Sequence, residues 1–360
     1  MSGPAVPSTM SNLPRTLDLV GIALLGAIVG WALLVSDAVG GSAEPFLALI
    51  LGAAAVLVAA RLLDRYVPRS VPFLTLCLLT GFFVSSWRRT DAWGDPLGYA
   101  NASAALAALA LIAALMLLLP GSPLVLRVIA VPTAVVFAVT PFLLDARAGA
   151  ILVVATVIAF IIGVALRWPR WGIIVAGGAV LLAIGTTAWL GASFAPGSSS
   201  VPVDLADTSL SEARLNLWHD AIEIVTDHPW IGVGWGGFAT TSPLASSDED
   251  LRWAHNEFLQ QAAESGLPGL LLTVSLFAWA FARLYVSRNA NAVASLGAVA
   301  LAVAGIAASV DYVLRFAAVP LAAAALVGAA QARRPSVLRD DGGTIEGDDV
   351  NRNERIGSTR

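Results

Sequence analysis

Lysine is absent from this chain, cysteine occurs once and histidine three times, and charged residues make up only 13%. With 57% hydrophobic residues and a mean hydropathy of +0.78, so little charge excludes an ordinary soluble domain of 360 residues. Without lysine, arginine alone supplies the side-chain positive charge by which membrane sidedness is read. The single Cys77 allows no internal disulfide and, lying in an apolar run, reads as packing rather than chemistry. No large basic patch suggests a nucleic-acid partner, and no His/Cys/carboxylate cluster has metal-ligand spacing. The net charge of −4 says little about partners, because its distribution matters more.

Present instead are apolar runs of about 20 residues, the length of a membrane-crossing helix. Ten are read: 16–36, 45–63, 71–87, 98–119, 124–143, 148–167, 172–191, 267–286, 292–310 and 313–330. Alanine and glycine abound in them, as expected where helices approach closely. No alternating strand pattern supports a barrel, so the expected fold is all-α, a polytopic membrane bundle of about ten helices. The first run is of full spanning length with no clear cleavage site, so the N-terminus does not read as a signal peptide. The division is a cytoplasmic segment 1–15, a membrane domain 16–330 that includes a long extracytoplasmic loop 192–266 with short helices, and a polar tail 331–360. That tail has little to bury and is expected to be disordered and cytoplasmic.

With ten spans and both termini inside, the inner segments hold Arg15, Arg61, Arg65, Arg69, Arg127, Arg167, Arg170, Arg283 and Arg288. The tail adds Arg333, Arg334, Arg339, Arg352, Arg355 and Arg360. Only Arg88, Arg89, Arg147, Arg214, Arg252 and Arg315 fall outside. The split satisfies the positive-inside rule and makes each outer arginine a residue in want of a reason.

The long loop opens on a Pro/Gly/Ser stretch, 196–202, and a capping-box pattern at Ser209–Glu212 then starts a helix. Glu212, Asn216, His219 and Glu223 repeat as a wet face, opposite Leu210, Leu217, Ala221 and Val225. Arg214 lies on or beside the apolar face, where it should point toward something negative. The helix stops at Asp227-His228-Pro229. Glycines 232, 234 and 236 follow; they suit either an anion approached by backbone amides or tight turns between aromatic anchors. Ser246–Asp250 reads as a solvated acidic loop. His255, with Asn256 and Glu257 beside it, stands where the loop returns to the membrane, at the first turn of a short surface helix and facing the protein interior. Histidine titrates near neutral pH and can exchange a proton with a hydroxyl. Gly266 and Pro268 punctuate the passage into the next span.

Taken in order, Arg214 and Trp218, then His228, Pro229, Gly232 and Gly234, then His255, Asn256, Leu259, Glu264, Gly266 and Gly269 resemble the pattern of the O-antigen ligase family. That family also includes Wzy-type polysaccharide polymerases. Gly98–Asn101 is similar to its Gly-aromatic-x-Asn element, and 145–149 to its Ser-x-Arg-Gly-Ala element, with Asp145 where serine is usual. About twelve spans are common in the family, against ten read here. The resemblance implies a membrane glycosyltransferase at the outer face of the cytoplasmic membrane. Its donor would be a polyprenyl diphosphate-linked glycan, and its acceptor a hydroxyl on a glycan or glycolipid. It implies His255 as the base, with inversion in one displacement, and Arg147 and Arg214 stabilising the departing diphosphate, without metal or cofactor. Arg88, Arg89, Arg315, Asn256, His228 and Asp311 are further candidates for substrate contact; Asp311 could orient His255 or pair with an arginine. The other readings are a transporter or flippase of lipid-linked or anionic substrates, favoured by charge at the membrane midplane and broken repeats, and a non-catalytic scaffold.

Overall fold

A computed structural model gives the architecture; it describes residues 9–90, 95–194, 212–247, 251–287, 289 and 291–332. Each apolar run is helical: α1 (Thr9–Val39), α2 (Glu44–Tyr66), α3 (Ser70–Thr90), α4 (Ala100–Leu118), α5 (Leu124–Leu143), α6 (Arg147–Ala165) and α7 (Trp171–Ser193). The loop that follows carries α8 (Glu212–Asp227), α9 (Phe238–Thr241) and α10 (Pro243–Ser247). The chain then returns through α11 (Glu257–Tyr285), α12 (Asn291–Val310), a 3-10 turn (Val313–Arg315) and α13 (Ala318–Gln331). No strand occurs among the described residues. The protein is a polytopic helical membrane bundle.

Eight of these helices are long and apolar enough to cross a membrane; Ser70–Ser86 within α3 and Ala318–Gln331 are shorter. The tenth run differs most from its reading, because its first residues form the 3-10 turn. The remaining helix spans only about 21 Å at 1.5 Å per residue, short of a hydrocarbon core of about 30 Å. The Pro/Gly/Ser stretch, Ser209 of the capping box, Asp248, Glu249 and Asp250, Arg288 and the tail from Arg333 lie outside the described residues.

The core sits around α4 and α12. Both are apolar on every side, which suits a helix enclosed by others, and nearly every residue of α4 from Ala102 to Leu117 is buried. Small residues set the close crossings. Gly149 of α6 faces Ala104 of α4, Gly297 of α12 faces Ala330 of α13, and Gly305 of α12 faces Val180 of α7 and Phe277 of α11.

The two ends of the bundle differ in their arginines. One end holds Arg15, Arg61, Arg65, Arg69, Arg127, Arg167, Arg170 and Arg283 at helix termini and turns. Several tie helices together. Arg61 and Arg283 donate to Asp18 at 2.8 and 3.0 Å, and Arg69 donates to the Pro120 carbonyl at 3.2 Å. Arg170 donates to the carbonyls of Tyr285 and Ser287. The other end gathers the loop helices, the starts of α4, α6 and α11, and the end of α12. Arg147, Arg214, Arg252 and Arg315 lie there.

Candidate active site

The site is assembled by a backbone crossing. After α8 the segment 228–237 runs across the first turns of α11. Val233 and Gly234 donate their N–H groups to the carbonyls of Ala263 and Glu264 (2.9 and 3.0 Å), and Leu267 donates to that of Pro229 (2.8 Å). Two glycines permit this contact. A Cβ on Gly232 would lie 2.5 Å from the Ala263 oxygen, and one on Gly266 2.3 Å from the Trp230 oxygen; both residues have positive φ. The Val233 and Gly234 amides are thus taken by backbone carbonyls, while the Gly236 amide donates to the Glu264 carboxylate. Gly266 also breaks α11 into a buried arm, 257–265, and a longer span. That arm was read as a surface helix and is instead enclosed. Trp31 of α1 caps the arm's end by donating to the Ser265 carbonyl at 2.9 Å.

Gly266→Ala should lower the thermal unfolding midpoint in detergent, by an amount corresponding to roughly 1–3 kcal/mol of backbone strain. An unchanged midpoint would show that the crossing can relax.

The crossing and α8 place His255. Its φ is +49°, uncommon for a residue other than glycine, and its neighbours hold it there. Ala254 donates to Gln260 Oε1 (2.7 Å), and Trp218 donates to the His255 carbonyl (3.4 Å). Asn256 caps α11 by accepting from Phe258 and Leu259, and donates to Thr187 of α7 (2.9 Å). The His255 side chain is 10% exposed.

Asp311, one residue past α12 and 2% exposed, is the hub of the site. Its Oδ1 accepts from His255 Nδ1 (3.0 Å) and the Tyr312 amide (2.9 Å). Its Oδ2 accepts from Tyr99 (2.6 Å), Asn101 (2.7 Å) and Arg214 (3.1 Å). Burial alone would raise the Asp311 carboxyl; the His255 hydrogen bond and the Arg214 charge outweigh it and hold it below the usual carboxylate range. Burial first, then the Asp311 charge, raises the hydroxyls of Tyr99 and Tyr312, so Tyr99 remains a donor. An ionised carboxylate only accepts, which places the shared proton on His255 Nδ1 and leaves Nε2 as an acceptor. Nε2 is buried and has no hydrogen-bond partner among the described residues.

Because the folded pKa of Asp311 is depressed, its contribution to stability is complete above the unfolded value of about 4. It is lost as pH falls through the lower folded value. Acid unfolding curves should therefore show a low-pH loss that is smaller in Asp311→Asn; identical acid limbs would count against the pairing.

Arg214 lies beside the apolar face of α8, as read, and its charge meets Asp311. Arg147 is exposed at the first position of α6, beside the start of α4 that bears Asn101, since Gly149 packs on Ala104. Arg315 stacks on Trp253, its guanidinium carbon 3.7 Å from the ring centre, and pairs with Glu257 (3.2 Å) and Glu264 (3.9 Å). Arg315 thus offsets part of the negative charge that Glu257 and Glu264 bring to the arm of α11. His228 is exposed at the start of the crossing, and His219 contacts the Gly191 carbonyl (3.2 Å). Arg88 and Arg89 end α3 at this end of the bundle, but their side chains lie outside the described residues. Sequence reasoning missed Tyr99, Tyr312 and the Glu257–Arg315–Glu264 cluster. Tyr99 had a signal as the aromatic of Gly98–Asn101. Tyr312, whose ring meets that of His255 edge-on at 4.8 Å, had none.

Residues 132–274 match the family model described as O-antigen ligase. Over this segment the chain is similar to the O-antigen ligase family. The match runs from within α5 into α11, so the matched segment holds Arg147, Arg214 and His255 but not Tyr99, Asn101, Asp311 or Arg315. No curated protein matches the chain. The match supports an O-antigen ligase- or polymerase-like membrane enzyme of polysaccharide biosynthesis. Among the described residues no group of three or more His, Cys, Asp or Glu side chains is placed to hold a metal ion.

Proposed function

We propose that the protein transfers a glycan from a polyprenyl diphosphate carrier to an acceptor hydroxyl at the outer face of the cytoplasmic membrane. The observation that carries this reading is the buried, unpartnered Nε2 of His255, on a ring whose other nitrogen is fixed by Asp311. An acceptor O–H placed there gives its proton to Nε2 as its oxygen attacks the anomeric carbon. The bond from that carbon to the diphosphate oxygen breaks, its electron pair leaves with the diphosphate, and the anomeric centre inverts. Asp311 holds the imidazole and balances the imidazolium that forms. Arg147 and Arg214 receive the departing diphosphate charge, as permanent cations with several donors each. Arginine also supports the orientation: the end opposite His255 carries more of it, and would be cytoplasmic together with both termini. A transporter is less well supported, because Asp311 and Tyr99 stand just outside α12 and α4 rather than at mid-bundle.

The test is purified protein in vesicles with a polyprenyl diphosphate-linked oligosaccharide and a glycan acceptor. Transfer should proceed with inversion and survive chelation. Carrier movement across the bilayer without transfer would overturn the reading in favour of transport. Lengthening of the carrier-bound chain, as against loading of a different acceptor, distinguishes polymerase from ligase.

A further inference from the structure

Two side chains of the buried arm, Gln260 and Glu264, stand one helical turn apart and enter no step of the transfer described above. Gln260 is 2% exposed and Glu264 3%. A carboxylate taken that far from water needs donors to replace it. Arg315 approaches Glu264 only to 3.9 Å, beyond hydrogen-bond reach. The close contacts are the Gln260 amide, whose Nε2 donates to Oε1 at 2.6 Å, and the Gly236 N–H. Glu264 therefore grips the 228–237 crossing twice, since its own carbonyl accepts from Gly234 at 3.0 Å.

The contact with Gln260 has a consequence at His255. A carboxylate only accepts, so it turns the NH2 of the amide toward itself and the amide oxygen the other way. That oxygen accepts at 2.7 Å from the N–H of Ala254, the residue before His255. Ala254 is fully buried, and a reversed amide would set two N–H groups against each other there. His255 in turn holds a φ of +49°, a conformation that persists where its surroundings impose it.

We infer that Gln260 and Glu264 are positioning residues for His255: the carboxylate, anchored on the crossing, orients the amide that holds the backbone of the base. The inference rests on the base proposed above. Both residues act through the backbone at 254–255 rather than on substrate.

Exchanging the pair provides the test. Gln260→Glu alone sets two carboxylates against each other, and Glu264→Gln alone leaves one acceptor oxygen where there were two. With both changes the carboxyl at 260 accepts from Ala254, while the amide at 264 offers its NH2 to that carboxyl and its oxygen to Gly236. Composition and net charge are unchanged. Full-length protein in vesicles is assayed with the donor and acceptor named above. Each single variant should lower kcat by about 10²-fold, the scale of a misplacement of about 1 Å, and leave KM near the wild-type value. The double variant should recover most of that loss. Gln260→Met, which frees Ala254 without adding charge, should match the singles. A second readout needs no transfer: modification of His255 by diethyl pyrocarbonate, followed on the tryptic peptide 253–283, which holds no other histidine. It should rise in the singles and fall back in the double. A double variant no better than the singles, or equal His255 reactivity throughout, overturns the inference. Reactivity as expected, with transfer unaffected in every variant, would instead strike the role of His255 as base and leave the brace standing.

Discussion

Replacing His255 with asparagine should reduce glycan transfer by about 10² to 10⁴, the usual contribution of a positioned general base. Asparagine is the informative substitution because His255 sits at φ +49°, a conformation asparagine tolerates better than most residues. Its amide can still donate toward Asp311, so the hub keeps a partner while the base is gone. Alanine would confound lost chemistry with a strained backbone. The thermal midpoint in detergent should stay near that of the wild type. Transfer at wild-type rate would remove His255 from the mechanism and leave its position to be explained as packing.

Asp311→Asn should have the second large effect, and it acts twice. The carboxylate fixes the His255 tautomer and balances Arg214; the amide does neither, and transfer should again fall by about 10² to 10⁴. Removing one member of a buried pair costs about 3–5 kcal/mol. With the Arg214 side chain 13% exposed, water screens part of that cost, so the lower end of the range is expected. Adding Arg214→Gln should restore much of the lost stability, because no unbalanced charge remains, without restoring transfer. Recovery of transfer in the double variant would mean that Asp311 serves only to neutralise Arg214.

The sequence makes the spans legible because length and hydropathy are local properties. Arg214 is legible in the same way, since a cation on an apolar helix face needs an acceptor. The identity of that acceptor is not local: Asp311 stands 97 positions further along the chain, and only the packing of α8 against the bundle joins them. Tyr99 and Tyr312 were missed for the same reason. Tyr99 shows on its own segment only as the aromatic of Gly98–Asn101 and Tyr312 not at all; each gains its place when the starts of α4 and α11 meet the end of α12. Arg315 shows the opposite failure. An outer arginine read as free to meet substrate is held by Glu257 and Glu264, two carboxylates that helical spacing places on one arm. Helix neighbourhood, which periodicity does not encode, accounts for both kinds of miss.

The break at Gly266 has a consequence for membranes of differing thickness. A span too long for its bilayer adjusts by tilting, and a tilting rigid helix would carry any residue at its tip sideways. Here the pivot lies between the span and the arm, and the arm is moored by backbone hydrogen bonds to the 228–237 crossing. His255 is thereby insulated from mismatch. Transfer rates compared across vesicles of graded acyl length should vary little while the tilt of α11 changes; rates that track thickness as closely as tilt does would show that the mooring slips.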